Sequence, residues 1–203
     1  MNMKYKKKNI PKPPKKITEQ YLYNSSLYYL QRFTSSSGNL RSIMTRKIIK
    51  SCDHHEDQDI DRCKEMLENI IVRLQAEQYI NDESYTKAMI NSYRNKGLSE
   101  KMIKQKLSIK SIPSDLIDDK QIEIDNEISE ITNSLELDIS PELIAAVKMT
   151  RKKRIGCFKP ESKDIERNKE LSILARNGYS FDIANKALNI DLDIAERIVV
   201  IRG

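Results

Sequence analysis

The stretch SCDHHEDQDIDRC, residues 51–63, gathers Cys52, His54, His55 and Cys63, and thiolates with imidazoles are a donor set for zinc. Cys63 follows Cys52 by eleven residues, which matches no zinc-finger spacing, and it also falls on an apolar helical stripe. The four therefore read as structural, and no metal is expected. Other chemistry is no better supplied. The chain has no G-x-x-x-x-G-K-[ST] or G-x-G-x-x-G loop, no G-x-S-x-G nucleophile turn and no H-E-x-x-H helix. Its two histidines are adjacent in an acidic connection, which gives a hydroxyl–imidazole or thiol–imidazole nucleophile little support. The acids of residues 114–142 read as a solvated helix face rather than a general acid–base pair. The expectation is a protein that binds without catalysing and carries no cofactor.

Charge offers a better handle than reactivity. The formal net charge is +6, but it is segregated along the chain. Residues 1–16 carry seven lysines and no acid, residues 114–142 carry ten acids against Lys120 alone, and residues 143–159 carry six basic residues and no acid. Such blocks attract a polyanion or an acidic protein face. The candidates for a partner- or DNA-binding basic face are Arg41, Arg46, Lys47, Arg94, Lys96, Lys101, Lys104, Lys148, Arg151, Lys152, Lys153, Arg154 and Arg176. Lys148, Arg151 and Lys152 share one face at three- and four-residue helical spacing, which makes 148–154 the strongest cluster.

The elements that must position these side chains are helices. Gly and Pro together number only 11 in 203 residues, too few for a sandwich or barrel built on tight turns. No run of 18 apolar residues is present, and the basic N-terminus is not followed by an apolar signal segment. Three cysteines without a framework spacing fit a reducing cytoplasm. After a basic arm at 1–16, the spacing predicts about ten short helices and no strand. Leu22, Ser26, Tyr29, Leu30 and Phe33 form the first inward face; Leu40, Ile43, Met44 and Ile48 form the second, from a helix starting near Asn39. Ile60, Cys63, Leu67, Ile70, Ile71 and Leu74 form the third. A fourth helix turns Tyr85, Ala88, Met89 and Ser92 or Tyr93 inward, and a long acidic one carries Ile117, Ile124, Ile128 and Ile131. Candidate caps are Asn81 or Asp82, Ser99, Ser140 with Pro141 after it, Asp164, Ser180, and Asp191 or Asp193.

Three glycines suggest a repeat. Five, six and ten residues after Gly38, Gly97 and Gly178 stand Ile43, Met44 and Ile48; Met102, Ile103 and Leu107; and Ile183, Ala184 and Leu188. All are apolar and those offsets share one helical face. The implied unit is helix, Gly turn, amphipathic helix, with a third helix covering the pair. The expected organisation is an all-α, elongated array of tandem three-helix repeats: 17–80, 81–139 and 140–203.

The same residues carry a family resemblance. AEQYINDESYTKAMINSYRNKGLSEKMIKQKL (76–107) resembles the central signature of RecX regulatory proteins, an apolar pair, an acidic cap, an aromatic and a helix ending before Gly. LYYLQRF with LRSIMTRKI resembles the family's first repeat, and KKRIGCF with LARNGYSFDIANKAL its C-terminal one, so the likeness spans roughly residues 18–190. The first turn departs from the pattern, being serine-rich (TSSSGNLRS) where the family's is usually Arg-rich; the basic arm and the Cys–His segment are additions. The resemblance implies an all-helical, non-enzymatic protein that binds the RecA filament on DNA; the expectation beside it is a monomer in the cytoplasm. It also implies restraint of strand exchange, ATP hydrolysis and coprotease activity in recombination and repair. The basic face would meet acidic protein lobes or DNA phosphates, and the Lys-rich arm could add single-stranded or duplex DNA contacts. A helix-turn-helix transcriptional regulator is the alternative, since KGLSEKMIKQK pairs a Gly turn with a basic helix; a purely structural scaffold is the third reading.

Overall fold

The computed structural model describes residues 13–162 and 165–201, and among them every regular element is helical. Residues 1–12 of the basic arm and the candidate cap Asp164 lie outside the described residues. In chain order the helices are α1 (Glu19–Leu30), α2 (Ser37–Cys52), α3 (Ile60–Ala76), α4 (Asp82–Asn95), α5 (Glu100–Ser108), α6 (Ser114–Ser134), α7 (Pro141–Lys153), α8 (Arg167–Arg176), α9 (Phe181–Asn189) and α10 (Leu192–Val199). Among the described residues one 3-10 turn, Gly156–Phe158, stands between α7 and α8.

Side-chain caps set most of the starts. Thr18, Ser36, Asp59, Asn81, Ser99, Ser140 and Ser180 each accept a backbone N–H from the first turn they precede. Each such bond satisfies a donor that has no partner within the helix, and removing one costs about 1 kcal/mol. Asp191 occupies the cap position of α10 without a side-chain bond, and Pro113 stands before α6. The chain falls into two compact units, Met1–Ile80 and Asn81–Gly203.

In the first unit α2 packs along α3, and α1 lies against both. Leu22, Leu40, Met44, Ile48, Cys63, Leu67, Ile70, Ile71 and Leu74 form its buried core with Ile17 and Ile80. The segment before α1 is fastened to the α2–α3 connection. Gln58 bonds both the N–H and the C=O of Ile17, each at 2.9 Å. Ser51 Oγ donates to the Lys15 carbonyl, His55 Nε2 meets that of Pro14, and Lys16 pairs with Asp57. The Cys–His segment thus works as a clamp. Among the described residues no three His, Cys, Asp or Glu side chains converge as a metal site.

The second unit has one continuous core running from Tyr85 to Ile201, shared by residues 81–139 and 140–203. α6 packs on α4 and α5, while α9 and α10 pack on α7 and α8 packs on α9.

Several inward faces differ from those expected. α1 ends at Leu30, so Phe33 lies beyond it and is 53% exposed. α2 begins at Ser37, two residues before Asn39, because Ser36 supplies the cap. On α4 Thr86, Ile90 and Arg94 are buried with Tyr85, and Ala88 faces outward. On α6 Gln121 and Thr132 are buried, whereas Ile131 is 39% exposed; the 3.6-residue helical period carries it off the heptad seam.

The glycine register also needs correction at one end. Gly97 and Gly178 lie in left-handed turns, with φ of +71° and +89°, but Gly38 is an ordinary residue of the first turn of α2. The common reference is the cap. Ser36, Ser99 and Ser180 each accept the N–H three residues on, and the residues four and eight after them are buried: Leu40 and Met44, Ile103 and Leu107, Ala184 and Leu188. In that frame Thr34 matches the two glycines. A shift of four residues is about one helical turn, so the apolar pattern survives either alignment.

At Gly97 a Cβ would stand 2.7 Å from the Met149 nitrogen and 2.9 Å from the Ala145 oxygen, both backbone. Gly97→Ala is therefore expected to destabilise the second unit by more than about 3 kcal/mol. By contrast Glu136, at φ +56° after α6, occupies a position that glycine suits, and Glu136→Gly should raise stability by roughly 0.5–1 kcal/mol. Chemical denaturation of both variants checks the pair.

Candidate partner-binding surface

The two stretches that look alike in the sequence meet in the structure. Ser99 Oγ donates to the Asn177 carbonyl at 2.7 Å, and Tyr179 Oη donates to the Gly97 carbonyl at 2.9 Å. Gly178 admits Ser99 so closely that a Cβ there would come within 2.4 Å of its hydroxyl oxygen. Burial pushes the Tyr179 phenol well above its ordinary pKa, so it remains a donor. The α4–α5 turn is thereby locked onto the α8–α9 turn.

Behind the turn lies Arg94, 2% exposed. Its Nη2 bonds both oxygens of Asp125 on α6 at 3.0 Å, and its Nη1 bonds Glu142 on α7. Glu142 also accepts the Glu100 N–H at the start of α5, where the helix dipole favours an anion. Arg94 was expected on the partner-binding face. The structure makes it an internal brace instead, because two carboxylates compensate its charge inside the unit. Asp125 and Glu142 are in turn acids that the sequence left on a solvated face.

The remaining candidates separate by what they touch. Arg41 is held by Glu68 at 2.7 and 2.8 Å, and Lys104 by Glu100 and Asp118 at 2.9 and 3.0 Å. Lys47 lies over the Tyr21 ring, Lys96 over Tyr93, and exposed Arg46 bonds the Ser42 carbonyl. Lys101 and Lys104 line a cleft of about 400 Å³ with Glu100, Glu142, Gly178 and Ser180. Its two cations face two acids, which leaves it little net charge.

The C-terminal end of α7 is different. Arg151, Lys152, Lys153 and Arg154 are four consecutive exposed cations, and Arg154 sits at φ +53° where the helix ends. Shallow grooves open on both sides. One, of about 330 Å³, is lined by Lys148, Arg151, Lys152, Asn95 and Val199. The other, of about 370 Å³, joins Lys153 to Arg176 of α8, with Ile173 and Asn177. Lys148 is tied down by Asn95 and the Ile201 carbonyl at 3.0 and 2.6 Å. The structure thus brings Arg176 to the 148–154 cluster, and Asn95 and Asn177 stand beside it as polar partners that charge patterning alone does not single out.

Among the described residues the fold is all-helical, and its longest run of consecutive exposed cations is the end of α7. No protein-family model matches the chain. It is 31% identical over 186 residues to the regulatory protein RecX of Myxococcus xanthus, covering 91% of this chain and 92% of that one. It is 28% identical over 177 residues to the regulatory protein RecX of Agrobacterium fabrum, covering 87% and 86%. The crystal structure of RecX from Lactobacillus salivarius superposes with a TM-score of 0.56 at 23% identity, over 87% of this chain and 97% of that one. A second crystal structure, of regulatory protein RecX, gives 0.57 at 19% identity, over 85% and 72%. The chain belongs to the RecX family of regulatory proteins. Among the described residues no helix is long and apolar enough to cross a membrane.

Truncating Arg94 to Ala leaves two partly buried carboxylates uncompensated and is expected to cost about 3 kcal/mol. Arg94→Lys should recover only part, because an ammonium cannot bond both acids in the same fork. Thermal melts of both variants test this.

Acid should act on the two units in a set order. In the first unit, Lys16 holds Asp57, the Arg62 and Asp61 amides hold Asp59, Arg41 holds Glu68 and Arg73 holds Glu77 below their ordinary values. Their stabilisation is present above the unfolded carboxylate range and is lost as pH falls through the depressed values. In the second unit, burial outweighs Arg94 and raises Asp125 and Glu142, whose contribution is present at low pH and lost as pH rises. Glu123, lowered to about 2 by Lys87 and Lys120, opposes them as pH falls from the ordinary carboxylate range towards that value, one depressed acid against two raised ones. Below about pH 4, NMR amide signals of α3 are expected to broaden or vanish before those of α4 and α6; simultaneous loss would contradict the assignment.

Proposed function

We propose that this protein regulates RecA by docking the cationic end of α7 and its two flanking grooves on the RecA–DNA filament. Docking there restrains strand exchange, ATP hydrolysis and coprotease activity. Membership of the RecX family carries the reading, and the concentration of Arg151, Lys152, Lys153, Arg154 and Arg176 at one end of the second unit supplies a surface suited to it. Adjacent like charges accelerate encounter with an acidic partner and fix its orientation. Lys101, Lys104 and Lys96 are secondary contacts, and residues 17–80, 81–139 and 140–203 act as successive modules. The protein acts by binding, as a cytoplasmic monomer, without catalysis or cofactor.

The helix-turn-helix alternative is less well supported. A recognition helix needs its N-terminal end open to base edges. Here that end of α5 is occupied by Glu142 and by the Ser99–Asn177 contact.

The test is RecA ATPase on single-stranded DNA with and without the protein. Wild type should suppress the rate, and the triple variant Arg151→Glu, Lys152→Glu, Arg154→Glu should need roughly tenfold more protein for the same effect, with an unchanged circular dichroism spectrum. Equal inhibition by the variant would remove α7 from the interface, and no inhibition by wild type would overturn the function.

A further inference from the structure

The first unit carries a surface that the α7 reading does not use. Residues 20–52 contain no Asp or Glu, yet they hold Arg32, Arg41, Arg46, Lys47 and Lys50. The same stretch holds Tyr21, Tyr23, Tyr28, Tyr29 and Phe33. Tyr21 and Tyr28 are seven residues apart, two turns of α1, and so stand on one face about 10 Å apart.

Each ring already binds cations. Lys15 and Lys47 approach the Tyr21 ring to 5.8 and 5.2 Å from its centroid, and Arg32 lies 5.5 Å from that of Tyr28 while donating to its hydroxyl at 3.0 Å. Two ammonium groups held on one ring are mutually repulsive, and an anion placed between them is stabilised by both. Three acids of this unit are engaged elsewhere, Asp57 with Lys16, Glu68 with Arg41, and Asp59 as the cap of α3, while Glu19 and Asp53 flank the stretch at its two ends. Among the described residues Lys15, Arg32, Arg46, Lys47 and Lys50 form no ion pair. Tyr28 is 62% exposed, which is unusual for so large a ring on a helix whose other side is core.

We infer that the outer face of α1 with the end of α2 is a binding site for single-stranded nucleic acid. Tyr28 stacks on an unpaired base, and Lys15, Lys47 and Lys50 neutralise phosphates on the side of Tyr21. The combination selects single strands. A duplex offers the phosphates but keeps its base faces stacked inside, so the ring has nothing to receive. An acidic protein would satisfy the cations without engaging Tyr28.

The experiment is fluorescence anisotropy of a labelled oligothymidylate titrated with the full chain, with no recombinase present, so that its outcome is independent of the function proposed above. Wild type should bind, more weakly as salt rises, and should prefer the single strand over a duplex of equal length. Tyr28→Ala should weaken binding roughly 5- to 150-fold, the range for one stacked base. Tyr28→Phe, which keeps the ring and loses the hydroxyl bond, should bind nearly as wild type. Lys47→Ala with Lys50→Ala should lower both the affinity and the slope against salt. Equal affinity of Tyr28→Ala and wild type, with circular dichroism unchanged, would overturn the stacking site. Equal affinity for duplex would reduce the face to a charge patch, and no binding to either nucleic acid would refute the site.

Discussion

A single buried cation holds the second unit together. Arg94 reaches Asp125 on α6 and Glu142 on α7, while Glu142 completes the start of α5. Four helices therefore converge on one planar guanidinium, whose fixed fork can satisfy two carboxylates from different directions. Burying these charges has its own cost, seen in the raised pKa values of both acids. What the arrangement supplies is register: moving either acid breaks its hydrogen bonds to a guanidinium that is shut off from water.

That brace works together with close backbone packing. Gly97 brings the α4–α5 turn against the backbone of α7, and Gly178 brings the α8–α9 turn against Ser99. The two turns then exchange hydrogen bonds through Ser99 and Tyr179. A chain with five glycines places one where a side chain would strike the backbone of α7 and another where it would strike the Ser99 hydroxyl. Elsewhere, at Gln78, Ser111, Glu136 and Arg154, it accepts the left-handed conformation without glycine, at the steric cost a Cβ carries there.

Internal pairing also decides which charges face outward. The acids of α6 engage Lys87 at 2.7 and 2.8 Å through Glu123 and Glu127, Lys120 through Glu123 and Lys104 through Asp118. Lys87 is raised to about 12 by these contacts. With much of the acidic block matched inside its own unit, the excess positive charge is concentrated at the end of α7 and, in the first unit, along α1 and α2. Steering by such patches depends on this local imbalance more than on the net charge.

Much of this was legible in the sequence. The helical class, most of the caps and the stripes of α3 and α5 follow from spacing, because a 3.6-residue period and a Ser before an apolar run are local properties. The α7 cluster was legible for the same reason, being contiguous. Gly38 aligns falsely with the other two glycines because a one-turn shift preserves an apolar face, and only the hydrogen bond at Ser36 separates the two registers. Arg94 escapes a local reading because in sequence it is one more cation on a basic stretch. Its role depends on Asp125 and Glu142, 31 and 48 residues away. The sequence by itself determined which segments are helices and where charge accumulates along the chain. Tertiary structure alone decided which charges are matched, because ion pairing and burial depend on distances between helices that no local pattern encodes.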